Sequence, residues 1–114
     1  MTKIFEMIDM SEKSVLITGA AGRLGSAMSY SLCELGANLI LVDINEDNLI
    51  DLKNNLESKF NKSITTYNCD LGSETSRLEM ISKLKVKKLE LNCLINNAAF
   101  VGESSLTGWS VPFE

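Results

Sequence analysis

The sequence predicts an α/β fold, a doubly wound parallel sheet in three αβα layers with strand order 3-2-1-4. Two observations carry this expectation. Apolar, β-branched runs without alternation recur between segments of helical period, the pattern of strands covered on both faces and joined by crossover helices. The links between these segments are short, with no repeat and no low-complexity stretch, so one domain with right-handed crossovers accounts for the chain.

Ser14-Val15-Leu16-Ile17-Thr18 reads as the first strand, and Gly19-Ala20-Ala21-Gly22 as the tight turn that closes it. Leu24, Ala27, Met28, Leu32 and Leu35 recur at helical spacing and define the buried face expected of the first helix, with Gly36 as its stop. Residues 38–43, Asn-Leu-Ile-Leu-Val-Asp, form the second strand. Asn45 is a competent cap for the second helix, Glu46 and Asp47 suit the positive end of its dipole, and Leu49, Leu52, Leu56 and Phe60 share one face. The β-branched and aromatic run 64–68 is a third strand, closed by Asp70, Gly72 and Ser73. Leu78, Ile81 and Leu84 predict the apolar face of a third helix, leaving Lys83, Lys85, Lys87 and Lys88 to its solvated side and last turn. Residues 91–96 read as a fourth strand. The stretch 99–114, with Gly102, Gly108 and Pro112 and no sustained period, reads as a loop. Ser104, Ser105 and Ser110 are loop residues in this reading, and Trp109, Pro112 and Phe113 either border a substrate pocket or pack on the next helix, packing being favoured since buried aromatics are usually core.

The 114 residues are 45% hydrophobic and 23% charged, with a formal net charge of −4, a composition able to bury a core. An acidic balance without a long basic run argues against nucleic acid or an anionic membrane as partner. Residues 1–13 are broken up by charges, and no 18-residue apolar run occurs, so the expected address is cytoplasmic. The absence of histidine removes the usual nitrogen ligand and neutral-pH base, and no metal is expected. Cys33, Cys69 and Cys93 are far apart and read as small buried hydrophobes.

Gly19, Gly22 and Gly25 lie between the first strand and the first helix. Glycine there allows positive φ, lets backbone amides approach a pyrophosphate, and lets the helix lie close to the sheet with its positive N-terminus toward the ligand. Asp43 ends the second strand 18 residues after Gly25, where an acidic side chain accepts hydrogen bonds from an adenosine ribose and repels a 2′-phosphate. Arg23 is the one nearby cation able to compensate. After the fourth strand, Asn96-Asn97-Ala98-Ala99 places two amides beside small residues, suited either to a packed polar junction or to contact with a ligand.

Taken in order, Thr18-Gly19-x-x-Gly22-x-x-Gly25, Asp43, Asp70-Leu71 and Asn96-Asn97-Ala98 resemble the short-chain dehydrogenase/reductase superfamily over Ser14 to Phe100. The resemblance implies a Rossmann domain. It also implies Gly19, Gly22, Arg23, Leu24 and Gly25 along the pyrophosphate turn, Asp43 on the ribose, Asp70 and Leu71 beside adenine, and Asn96 and Ala98 near the cofactor. Asn96 would also stabilise the central sheet. The glycine rhythm is that of the superfamily's sugar-nucleotide epimerase branch, whereas Asn-Asn-Ala points to the smaller reductases; Ala99 stands where the family commonly has Gly.

The family's Tyr-x-x-x-Lys pair and upstream Ser lie C-terminal to the asparagine motif. Tyr30 is followed four residues later by Glu34, and Tyr67 by Leu71, so no catalytic residue is assigned. The chain is therefore read as the N-terminal half of an NAD(P)-binding domain, with a core from about residue 13 and its catalytic part missing. Alone it is expected to be inactive and, with its fourth strand an apolar edge, prone to aggregate. The function implied for the whole protein is NAD(P)-dependent hydride transfer to or from a small alcohol or carbonyl, with NAD favoured over NADP, in a homo-oligomer. The alternatives are an NAD-dependent sugar-nucleotide epimerase or dehydratase and a non-catalytic nucleotide-binding module. In a methyltransferase the asparagine motif would have no role.

Overall fold

The computed structural model describes residues 4–99. A short helix, α1 (Ile4–Met7), precedes β1 (Ser14–Thr18), α2 (Arg23–Glu34), β2 (Asn38–Asp43), α3 (Glu46–Phe60), β3 (Thr65–Asn68), α4 (Glu74–Val86) and β4 (Cys93–Ile95). The stretch read as a loop, with Ser104, Ser105, Trp109, Ser110, Pro112 and Phe113, lies outside the described residues.

All three strand pairings are parallel, in the order β3-β2-β1-β4, as the sequence predicts. Thr18 is in register with Val42, Ile17 with Ile95 and Asp43 with Asn68, so the turns that leave β1, β2, β3 and β4 all emerge along one carboxyl edge. Each strand alternates between two apolar layers. Val15, Ile17, Leu39 and Leu41 bury against Cys33 of α2 and Leu49, Leu52 and Leu56 of α3. Leu16, Ile40, Val42, Tyr67 and Cys69 form the opposite layer with Leu71 and, from α4, Met80 and Leu84. Two apolar faces explain why the strand sequences do not alternate. Each fully buried leucine of α3 contributes roughly 1.5–3 kcal/mol.

The helix faces match expectation unevenly. In α3, Leu49, Leu52 and Leu56 are buried as predicted, and Phe60 packs at the margin. In α2 the buried residues are Gly25, Ser29 and Cys33, with Met28 and Leu32 beside them, while Leu24 is 70% exposed and Ala27 is also exposed. Small residues four apart let this helix settle closely on the sheet, which a leucine stripe would prevent. In α4, Leu84 packs on the core as expected, but Leu78 and Ile81 are 56% and 41% exposed, and Met80, one turn before Leu84, completes the packing face.

Cys33 and Cys69 are buried as expected, but Cys93 is exposed, because β4 is a strand at the edge of the sheet. Burial pushes the Cys33 thiol up, and the charge of Lys62 opposes that shift. Lys62 also closes the C-terminal end of α2: its Nζ donates to the carbonyl of Gly36 and to that of Ala37 at 3.0 Å, where a cation complements the helix dipole. No helix among the described residues is long and apolar enough to cross a membrane.

Candidate functional site

A cleft of about 770 Å³ opens along the carboxyl edge of the sheet, within the size range of a small-molecule site. Its first wall is the turn between β1 and α2, with Gly19, Gly22, Arg23 and Leu24. Gly19 has φ +63°, and a side chain there would bring a Cβ to 2.9 Å from Ala98 Cα, so this position combines left-handed backbone with close approach of the β4 end. Gly25 is buried behind the turn: a Cβ would lie 2.7 Å from Ala20 Cα and closer still to the Gly19 carbonyl oxygen. It sets helix-to-turn packing and does not line the cleft.

The helix at this wall has no side-chain cap, since Gly22 occupies the N-cap of α2. By contrast Asn45 caps α3, accepting from Asn48 N–H at 3.0 Å, and Ser73 caps α4, accepting from Ser76 N–H at 3.2 Å. The first N–H groups of α2 have no intrahelical partner, and Gly22, Arg23 and Leu24 at this end of the helix line the cleft, a ready position for an anion.

The second wall is the end of β2, with Val42, Asp43 and Ile44. Asp43 Oδ2 accepts from Ala21 N–H at 2.9 Å, and Oδ1 accepts from Asn45 N–H at 2.9 Å. Its carbonyl accepts from Cys69 N–H at 3.1 Å and from Asn68 Nδ2 at 3.2 Å. Each carboxylate oxygen keeps a further lone pair for an incoming hydroxyl. The third wall is the β3 exit, with Cys69, Asp70, Leu71 and Gly72. Asp70 Oδ1 accepts from Gly72 N–H at 2.9 Å, and the first turns of α4 brace the segment. Ser76 Oγ accepts from Asp70 N–H at 3.0 Å, and Arg77 donates to the Leu71 carbonyl at 2.6 Å.

The fourth wall comes from Asn97, Ala98 and Ala99. Buried Thr18 is its anchor: Oγ1 donates to the Ile95 carbonyl at 3.4 Å and accepts from the N–H groups of Asn97 and Ala98, both at 3.1 Å. Asn97 Nδ2 donates to the carbonyls of Thr18 and Gly19 at 3.2 and 3.1 Å. Of the two amides that the sequence suits to a packed polar junction, Asn97 is the one that ties the β4 exit to the glycine turn. Asn96 is exposed and outside the cleft lining.

Of the ten residues expected at the site, eight line one cleft: Gly19, Gly22, Arg23, Leu24, Asp43, Asp70, Leu71 and Ala98. Gly25 acts from behind it, and Asn96 lies outside it. Thr18, quoted in the glycine motif but given no role there, and Asn68, Ser76 and Arg77, which the sequence reading passes over, hold the walls in place. Their partners are mostly backbone groups, which leave no pairing signal in a sequence.

The all-parallel 3-2-1-4 sheet and the glycine turn at its carboxyl edge place the chain in the Rossmann-like α/β class. A family model described as short chain dehydrogenase matches residues 13–111. The short chain dehydrogenase/reductase dpmpG of Macrophomina phaseolina is 29% identical over 96 residues, which are 84% of this chain and 55% of that protein. The 3-oxoacyl-acyl-carrier-protein reductase FabG of Rickettsia felis is 33% identical over 98 residues, covering 86% and 37%. Among solved structures, an NAD+-bound xylitol dehydrogenase aligns with a TM-score of 0.74 at 27% identity, over 82% of this chain and 35% of that one. A Shigella flexneri short chain dehydrogenase complexed with NADP aligns with a TM-score of 0.76 at 20% identity, over 83% and 41%, and shares the fold. The chain belongs to the short chain dehydrogenase family, a family of oxidoreductases. It spans between 35% and 55% of the length of these four proteins.

Proposed function

We propose that the cleft binds the adenosine and pyrophosphate half of NAD, and that the whole protein is an oxidoreductase transferring hydride between nicotinamide and a small alcohol or carbonyl. The observation that carries this reading is the presence, in one cleft, of an uncapped helix N-terminus and the Asp43 carboxylate at the next strand end. The first N–H groups of α2 bind the pyrophosphate, and Gly19 and Ala98 leave it room. Asp43 accepts from the ribose hydroxyls with its remaining lone pairs and repels a 2′-phosphate. Asp70 and Leu71 flank the adenine, held by Ser76 and Arg77. When bound, the nicotinamide ring supplies or accepts the hydride. Arg23 is the cation that opposes Asp43 in the choice between NAD and NADP.

Calorimetric titration of the chain tests this reading. NAD is expected to bind at least roughly tenfold more tightly than NADP, the effect of one uncompensated charge contact, and S-adenosylmethionine is expected not to compete. Equal or tighter binding of NADP would overturn the choice of cofactor. Absence of binding by either dinucleotide would overturn the site.

A further inference from the structure

We propose that Asp43 is a positioning residue for the turn that receives the diphosphate, clamping it through the Ala21 N–H in addition to meeting the ribose. The inference rests on the dinucleotide reading of the cleft. Between β1 and α2 the backbone is held at two successive amides: Ala20 N–H donates to the Val42 carbonyl at 3.1 Å, and Ala21 N–H donates to Asp43 Oδ2 at 2.9 Å. Gly22 N–H closes back on the Gly19 carbonyl at 3.2 Å. The next amides are the uncapped ones at the start of α2, so the direction in which they point follows from how Ala20 and Ala21 are fixed.

Asp43 itself has little freedom to swing away. Its other oxygen holds Asn45 N–H, and its carbonyl is held by Cys69 N–H and Asn68 Nδ2. The clamp therefore joins the β1 turn to the ends of β2 and β3, and it is charge-assisted.

This role and simple ribose recognition predict opposite signs for one experiment. The probe is 2′,3′-dideoxy-ADP, which carries the diphosphate and lacks both ribose hydroxyls. If Asp43 serves the hydroxyls alone, Asp43→Asn removes a negative charge near a polyanion and binding of the probe is unchanged or tighter. If Asp43 clamps the turn, the variant has one amide oxygen for the two N–H groups of Ala21 and Asn45 and no charge to assist either bond, so the turn is held more loosely and the probe binds about tenfold more weakly. ADP, titrated in parallel, separates the two readings. A wild-type chain that binds neither ADP nor the probe refutes the dinucleotide site. A wild-type chain that binds ADP, with a variant that holds the probe as well as wild type, refutes the clamp alone. Should Asp43→Asn fail to fold, a scalar coupling across the hydrogen bond between Ala21 15N and Asp43 13Cγ decides in the wild-type chain. Its presence supports the clamp and its absence overturns it.

Discussion

Thr18 shows how much of the site hangs on single polar atoms. Its hydroxyl meets one carbonyl and two N–H groups of the β4 exit, so Thr18→Val strips three contacts at once; Asn97 N–H keeps the Ile95 carbonyl at 3.1 Å, and Ala98 N–H loses its Thr18 acceptor. We expect a loss of about 2–3 kcal/mol in urea unfolding, with Thr18→Ser close to wild type; a Thr18→Val variant as stable as wild type would show that the hydroxyl contributes nothing. Tyr67 is the converse case. Its hydroxyl is buried without a hydrogen-bond partner among the described residues, so Tyr67→Phe should leave stability unchanged or raise it by about 1 kcal/mol. A loss greater than that would reveal a partner for the hydroxyl.

At the scale of elements, the three helices that open at the carboxyl edge differ in one respect, and the difference follows their use. Asn45 and Ser73 each fill the cap of their own helix, and Asn45→Ala or Ser73→Ala should cost about 1 kcal/mol apiece. The third N-terminus is left to the cleft. The strands, the Asn45 cap and the face of α3 are legible in the sequence because leucines at three- and four-residue spacing, and Asn before an acidic first turn, have one natural reading; Ser73, read there only as part of a turn, proves to be a cap as well. Asp43, which acts through its carboxylate, and Gly19, which acts through the lack of a side chain at a left-handed turn, are residue types that announce themselves in the sequence. The face of α4 is not: Leu78, Met80, Ile81 and Leu84 offer two overlapping stripes, and only the position of Tyr67 and Cys69 beneath decides for Met80 and Leu84. Nor is the close packing of α2, which depends on Gly25, Ser29 and Cys33 being small, a property that hydrophobic spacing does not register.

For the molecule as a whole, the two sides of the sheet are unequally covered. One layer is closed by α2 and α3. On the other, Leu94, in register with Leu16, is 51% exposed, and Leu78 and Ile81 of α4 are likewise uncovered. Apolar surface of this kind drives association, so the chain should sediment as oligomers at micromolar concentration. Leu78→Glu with Ile81→Lys should shift it toward monomer without loss of helix content; a monomeric wild-type chain would contradict this. The tie between Thr18 and Asn97 has a consequence in time as well as in space. It joins residues 79 positions apart, so the glycine turn, although made early by the ribosome, stays without its fourth wall until almost all of the described chain has emerged. During synthesis, therefore, the cleft is walled on this side only once the β4 exit has met the turn that follows β1.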